Sequence, residues 1–550
     1  MDKDICINES ETAKLNLEWV TDIIGDDYWK KWRPGDIVKI KAQTGTGKTH
    51  FILHKLIDNM WDYEKMLILC NRIKLKRQLK KELCDKFNIP IPENIRELDK
   101  KVKFNNVYVM SYQTLNELLL NEEYLEEDLY RGYDYIICDE IHYIMADSFT
   151  GKTEKIWREL IKDRFDETIR IFISATMEDI VATIDKCFNK NQEGAWGSCI
   201  RNIYEYDTGR DYSYLKPYHF DDINTILELI EQDSSDDKWL IFVSSKKDGG
   251  YMKNYLVNQN ITSEFLHSGK KISNEELSIT NESKFKCKVL ISTSVLDNGV
   301  NIKDEQVKHL VIMAWDETTF MQEIGRLRFN KLDNVPIINL YLRTREEFIW
   351  QGKLNTENQK LKVYDLFEND IDSFKRKYNP IGMPDGFYLD KDNNWQYDII
   401  TYANLLNRIN YIDNIIKDAE YHGKYSFMMK QLKLLGLDND DNLSDERNLE
   451  IQKKNKLKDN LNNYLESHLN EVYLQKKDRK ELIEMIGLID KKHSNLSNNN
   501  IKYIQNIKKL NEYLLNEIKS NFIIKQFETS RIINGKKKNF KSAWRIIKST

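Results

Sequence analysis

No stretch of the chain approaches the ~20 consecutive apolar residues that a membrane helix needs, and 550 residues carry a formal net charge of only −4. The first absence argues against a spanning helix. The second excludes a polycation, so any nucleic-acid site must be a local basic surface. The seven cysteines (Cys6, Cys70, Cys84, Cys138, Cys187, Cys199 and Cys287) form no C-x-x-C pair. Their scatter argues against a zinc module and a disulfide framework and suits a reducing cytosol. Prolines are sparse, seven in all with none beyond Pro384. The opening MDKDICINESE is acidic where a signal peptide is basic. A soluble, cytoplasmic protein without membrane contact is expected. Its 41% apolar content suffices for buried cores, and its length predicts three or more domains.

Ala42 to Thr49, AQTGTGKT, fits the phosphate-loop pattern, with Ala42 where the first glycine usually stands. Asp36 to Ile40 reads as a short strand, and His50 to Asp62 has helical apolar spacing at Phe51, Ile52, Leu56 and Met60. A strand, a glycine-rich turn and a helix N-terminus form an anion cradle, because the turn's N–H groups and the helix dipole both face a phosphate. Thr44, Gly45, Thr46, Gly47, Lys48 and Thr49 are therefore the candidate nucleotide-binding residues. Lys48 is expected to reach the outer phosphates, and Thr49 to place its hydroxyl on a magnesium ion.

Short apolar runs then alternate with helical stretches from 36 to about 200. The runs are Ile37–Ile40, Met66–Cys70, Val107–Met110, Tyr135–Cys138 and Ile171–Ile173. Near-continuous apolar strands separated by helices predict a parallel sheet covered on both faces, with ligands at the carboxyl ends of its strands. A polar cluster follows each run: the phosphate loop, Asn71-Arg72, Ser111-Tyr112-Gln113-Thr114, Asp139-Glu140-Ile141-His142 and Ser174-Ala175-Thr176. An apolar strand ending in Asp139 suits a magnesium ligand opposite Thr49. Glu140 is then placed to orient or deprotonate an attacking water.

TGTGKT, DEIH and SAT in this order resemble the first core domain of a superfamily two helicase of the DExH kind. The resemblance implies ATP and Mg2+ as cofactors. It also implies coupling roles for His142, Ser174 and Thr176, and nucleic-acid contacts at Arg72, Ser111, Tyr112 and Gln113. No glutamine lies upstream of Gln43, so adenine is not expected to be read by the glutamine motif of the DEAD-box subgroup.

A second alternating set runs from about 236 to 350, with strands at Trp239–Val243, Phe265-Leu266, Val289–Ile291, Leu310–Met313 and Ile337–Leu342 and no second phosphate loop. FVSSKK (242–247), LHSG (266–269), ISTSVLDNGVNI (291–302) and QEIGRLR (322–328) are similar to the second core's motifs in family order. They imply strand contacts at Ser244 and Thr293, and Gln322 and Arg326 at the shared ATP site. The family spaces two arginines three apart. Here Arg328 follows Arg326 by two and Phe329 takes the usual place, which leaves open whether Arg328 is the finger.

The expected organisation is two tandem RecA-like α/β domains followed by a mostly helical region. An N-terminal segment (1–35) precedes the first core (36–205), a polar linker (206–237) and the second core (238–350). Beyond it come a helical accessory region (351–526) and a basic hairpin or tail (527–550). In that tail Asn534-Gly535 favours a tight turn. Arg531, Lys536, Lys537, Lys538, Lys541, Arg545 and Lys548 interleave with Phe540 and Trp544, a combination that suits phosphate contacts with base stacking. A solvated basic tail is the other reading of the same residues.

The leading functional expectation is an ATP-dependent helicase or translocase acting on nucleic acid, DNA favoured over RNA by family analogy. The alternative is an ATP-gated clamp that recruits a protein partner, such as a nuclease in a phage-defence or mobile-element assembly, without unwinding. A phosphate-loop kinase or GTPase accounts for Lys48 but not for QEIGRLR.

Overall fold

The computed structural model describes residues 12–549, apart from 71–72, 93, 121–131, 147–155, 158–159, 161–164, 166, 178–179, 182–201, 268–278, 280–281, 294–300, 330–333, 379–381, 391–392, 490–501 and 534–535. The chain divides into two units, Met1–Leu443 and Ser444–Thr550.

Unit 1 begins with β1 (Thr12–Ala13) and then builds its first sheet from β2 (Ile37–Lys41), β3 (Met66–Cys70), β4 (Lys103–Phe104), β5 (Val107–Ser111), β6 (Tyr135–Asp139), β7 (Ile169–Ser174) and β8 (Ile203–Asp207). The order is β4-β5-β3-β6-β7-β2-β8, and every pair is parallel except β4 with β5. Every residue of β3 and β7 is buried, which explains why these strands read as continuous apolar runs without alternation. Because β6, β7 and β2 are neighbours, the loops after them open at one carboxyl edge. This is the ligand edge of a parallel sheet.

The second sheet uses β9 (Leu215–Phe220), β10 (Lys238–Phe242), β11 (Ser263–Leu266), β12 (Val289–Ser292), β13 (Val307–Ile312) and, after β14 (Val335–Pro336), β15 (Ile338–Arg343). Its order is β11-β12-β10-β13-β15-β9, all parallel. Both sheets are therefore the parallel RecA-like layers expected. The N-terminal segment belongs to both cores. β1 pairs antiparallel with β14, and Leu15 enters the second core. Val20, Ile24, Tyr28 and Trp32 are buried in the first.

Two expected boundaries are corrected. The stretch 206–237 is not a linker. It contains the end of β8, all of β9 and the helix Ile223–Gln232, whose Ile226, Leu227 and Ile230 are buried. β9 escapes a sequence reading because Pro217 interrupts it, yet β9 is an edge strand, where a missing N–H is tolerated. The region 351–526 is not one helical block either. Helices Glu347–Asn369, Ile371–Lys377, Ile399–His422 and Ser426–Leu435 belong to unit 1, with a small hairpin of β16 (Phe387–Leu389) and β17 (Trp395–Tyr397). Unit 2 packs helices Leu449–Ser467, Lys480–Ile486 and Ile507–Glu512 against a sheet of β18 (Val472–Tyr473), β19 (Phe522–Ile533) and β20 (Lys536–Lys548), ordered β18-β20-β19.

Rings stack across four neighbouring strands of the second sheet. Trp239 lies on His309 at 3.9 Å between centroids, and Tyr341 follows at 5.9 Å and Tyr218 at 5.5 Å from Tyr341. His309 Nδ1 meets the Tyr341 hydroxyl at 2.9 Å. Burial holds the imidazole down to about 4; Asp233 pulls the other way and Lys288 adds to the depression. The folded chain keeps His309 neutral where the unfolded chain, with an ordinary histidine near 6.5, binds a proton. This contribution is intact above the unfolded value and is lost as pH falls toward the folded one. The melting temperature of wild type is therefore expected to drop between pH 7 and pH 5 more steeply than that of His309→Phe. Equal slopes in thermal denaturation would remove His309 as the titrating group.

Candidate active site

The phosphate loop leaves β2 at Lys41, and a continuous helical stretch starts at Lys48. Gly45 has φ +97° and Gly47 has φ +86°, a backbone region that side chains disfavour and glycine does not. Thr46 is fully buried, and its hydroxyl donates to the Gln43 carbonyl at 2.7 Å. Thr46 thus offers the cradle backbone only. Lys48 and Thr49 begin the helix, half-buried.

Asp139 ends β6, and Glu140 follows with φ +52°. A glutamate in the left-handed region is strained by roughly 1–3 kcal/mol and persists only where its neighbours dictate it. Those neighbours are visible. The Tyr112 hydroxyl donates to the Asp139 carbonyl at 3.0 Å, Ile141 N donates to the Ile173 carbonyl and Tyr143 N to the Glu140 carbonyl. The strained turn aims the Glu140 carboxylate at three groups. Lys48 Nζ lies 3.4 Å from Oε1, while His142 Nδ1 at 3.3 Å and Ser174 Oγ at 3.4 Å face Oε2.

His142 is buried, and Nδ1 also meets Ser174 Oγ at 2.8 Å. On its other side Nε2 lies 2.6 Å from Gln322 Nε2, in the helix Glu317–Ile324 of the second core. An amide nitrogen can only donate. Nε2 is therefore the acceptor and Nδ1 carries the proton toward Ser174 and Glu140. Ser174 Oγ accepts from Thr176 N at 3.0 Å. A hydrogen-bonded line thus runs Lys48–Glu140–His142–Gln322 from one core to the other.

The two cores also touch at the loop itself. A Cβ on Gly325 would sit 2.9 Å from Thr44 Oγ1, and one on Gly45 would sit 3.7 Å from Arg328 Nη1. Arg326 is buried and turns back, its Nε donating to the Gln322 carbonyl at 3.1 Å. Phe329, in the family's arginine place, packs edge-on against Tyr214 at 5.1 Å inside the second core. The shortened spacing therefore presents Arg328 to the phosphate loop.

The expected strand contacts fare unevenly. Arg72 lies outside the described residues, as do 268–269 of LHSG and 294–300 of the ISTSVLDNGVNI segment. Tyr112 is corrected: it is fully buried and supports the Asp139 carbonyl, so it meets no strand. Ser111 bonds Thr114 at 2.8 Å, and Gln113 donates to the Tyr143 hydroxyl at 2.7 Å. Ser244 is exposed at the end of β10, its hydroxyl donating to the Met313 carbonyl at 2.7 Å. Thr293 N donates to the Leu266 carbonyl at 3.1 Å. Ser111, Ser244 and Thr293 thus lie at the carboxyl edges of their sheets.

Two residues escaped the sequence reading. The Gln43 side chain brackets the Asp211 backbone, donating to its carbonyl at 3.1 Å and accepting from its N–H at 3.0 Å. Trp19 lies over Gly47, 3.2 Å from where a Cβ would stand, while Val20 N donates to the Thr46 carbonyl. Trp19 is an aromatic 28 residues before Gly47 with no motif around it, so no local signal marks it.

Two family models match in chain order. One, described as "Type III restriction enzyme, res subunit", covers residues 18–179, and "Helicase conserved C-terminal domain" covers 221–330. The human protein named Probable ATP-dependent RNA helicase DDX43 is 23% identical over 331 residues, 54% of this chain and 47% of that protein. Sus scrofa Probable ATP-dependent RNA helicase DDX4 is 21% identical over 199 residues, 35% and 26% respectively. The chain thus spans about half the length of the first of these relatives and about a quarter of the second. Among solved structures, S. cerevisiae Dbp5 bound to RNA and ADP BeF3 is 16% identical with a TM-score of 0.41, covering 60% of this chain and 88% of that one. Escherichia coli DEAH/RHA helicase HrpB is 13% identical with a TM-score of 0.40, covering 60% and 43%. Lys48 and Glu140 lie inside the first matched segment and Gln322 to Arg328 inside the second, so the chain is similar to these two models in the order in which its candidate site residues fall.

Proposed function

We propose that this chain is an ATP-driven motor on nucleic acid of the DExH kind, hydrolysing ATP between its two cores and moving along one strand. The observation that carries the reading is the strained Glu140, held between Lys48 and the His142–Gln322 bridge. The Lys48 ammonium now faces the Glu140 carboxylate. A γ-phosphate competes for that ammonium, and the carboxylate is then available to orient and deprotonate water. Arg328 neutralises the charge that develops on the transferring group.

Magnesium fits this site by its donor chemistry. The Thr49 hydroxyl stands in the first turn of the helix after the phosphate loop and the Asp139 carboxylate at the end of β6, and among the described residues no group of three or more His, Cys, Asp or Glu could hold a metal ion. One carboxylate with a hydroxyl suits an ion that keeps several waters and takes phosphate oxygens. When bound, the ion neutralises β- and γ-phosphate charge. Thr49 and Asp139 would hold it.

Movement follows from the bridge. ATP draws the cores together through Arg328 and Gln322, and product release parts them, so Ser111 shifts against Ser244 and Thr293 along a strand. These are backbone contacts and carry little base specificity. The relatives' names point both ways, to a restriction enzyme subunit and to RNA helicases. DNA is the strand we adopt. A clamp that recruits a protein partner, such as a nuclease, shares every core residue and differs only in lacking strand displacement.

Stimulated ATPase, compared on single-stranded DNA, duplex DNA and RNA, is expected to be highest on DNA and to vanish in Lys48→Ala and Glu140→Gln. Stimulated hydrolysis that survives in both variants would sink the mechanism. The two arginines should separate. Arg328→Ala is expected to lower kcat at least about 100-fold with an unchanged melting temperature. Arg326→Ala, which empties a buried site, is expected to lower the melting temperature as well. The reverse pattern would make Arg326 the finger.

A further inference from the structure

The 12 residues of β19 and the 13 of β20 make one long antiparallel ribbon in unit 2, paired from Phe522↔Lys548 out to Ile533↔Lys536. Its inner half is anchored. Phe522, Ile524, Trp544 and Ile546 are buried in the unit's core with the surrounding helices. Its outer half runs beyond that core, where Lys536, Lys537, Lys538, Asn539 and Lys541 are all exposed on β20 and Ser530, Arg531 and Ile532 on β19.

The charge of this ribbon is one-sided. Residues 522–548 contain eight lysines and arginines and one carboxylate, Glu528, in a chain whose net charge is −4. Arg531 stands directly opposite Lys538, and Lys525 opposite Arg545. Like charges facing across a ladder destabilise the pair. A sequence that served only the fold would place a carboxylate at one of these positions. A polyanion removes the repulsion and turns it into attraction.

The placement of side chains selects among polyanions. Alternate residues of a strand point to opposite faces. Lys536 and Lys538 therefore lie on one face of the ribbon, and Lys537 and Lys541 on the other. The aromatics that a single strand would need for stacking are not available. Phe540 is 7% exposed and Trp544 3%, and the Arg479 guanidinium already covers the Trp544 ring at 4.3 Å. This corrects the expected pairing of phosphate contacts with base stacking. Cations on both faces without stacking aromatics match a groove with a phosphate backbone on each wall. The B-form major groove, about 12 Å wide, admits a two-stranded ribbon. The deep, narrow groove of A-form RNA does not.

We propose that the outer β19–β20 ribbon is a docking site for double-helical DNA, seated in the major groove and held by phosphate contacts from Arg531, Lys536, Lys537, Lys538 and Lys541. The site is built from unit 2 residues alone and does not rest on the ATPase reading. The test is therefore made on the full chain without nucleotide, by fluorescence anisotropy on blunt duplex DNA, duplex RNA and single-stranded DNA of one length, across a salt series. Wild type is expected to bind duplex DNA tightest. The triple variant Lys536→Ala, Lys537→Ala, Lys538→Ala is expected to lose at least about tenfold in duplex affinity and to flatten the log–log salt slope by about 2 to 3. Arg531→Ala should do the same with a slope change of about 1. Because these side chains are exposed, melting temperatures should hold, and any rise in Arg531→Ala would register the relieved repulsion. Unchanged affinity and slope in both variants would overturn the proposal. So would tighter wild-type binding to single strands or to duplex RNA, or a preference for an acidic peptide or anionic vesicles over DNA.

Discussion

The Glu140 carboxylate, held in a backbone conformation that a glutamate disfavours, is the constraint on which the site depends. Its strain is sustained by its surroundings. β6 and β7 fix the chain on either side, Tyr112 grips the Asp139 carbonyl from a fully buried position, and Ile141 N reaches back to the Ile173 carbonyl. The turn that results gives one carboxylate two differently occupied oxygens. Oε1 faces the phosphate-binding lysine, and Oε2 faces a serine and an imidazole. Strain of this kind at a strand end is a reason to look for chemistry there.

A polar bridge between the cores starts at that carboxylate. The His142 tautomer is set by two neighbours in different domains, Ser174 in the first and Gln322 in the second. His142 thereby joins the surroundings of Glu140 to the helix Glu317–Ile324. The close approach of Gly325 to Thr44 leaves no space for a side chain at that contact. β1 adds a mechanical link, because the segment that pairs with β14 of the second core continues directly into Val20 and Ile24 of the first.

Much of this architecture was legible in the sequence, for physical reasons that also explain what was missed. Strands such as Met66–Cys70 are buried on both faces, so they stand out as apolar runs, and the polar residues that end them mark the ligand edge. β8 and β9 lie at sheet edges, alternate polar with apolar residues and include Pro217, so they resemble a linker. Tyr112 occupies a motif position on paper. Its burial follows from packing with Tyr143, 5.1 Å away, which spacing alone does not reveal. The Arg328 placement needed coordinates too, since it depends on Phe329 being drawn into the second core by Tyr214. At the C-terminus, Asn534-Gly535 pointed to a hairpin, but only the fold separates its buried aromatics from its exposed lysines.

The central claim is that His142 and Gln322 act as one bridge from the Glu140 carboxylate to the second core. A double-mutant cycle with His142→Ala, Gln322→Ala and the combined variant, read as nucleic-acid-stimulated kcat, measures it directly. A shared bridge predicts that the double variant is no slower than the slower single, with a coupling close to the smaller single loss. Losses that multiply would mean that the two residues act independently, and the bridge would not be the link between hydrolysis and movement.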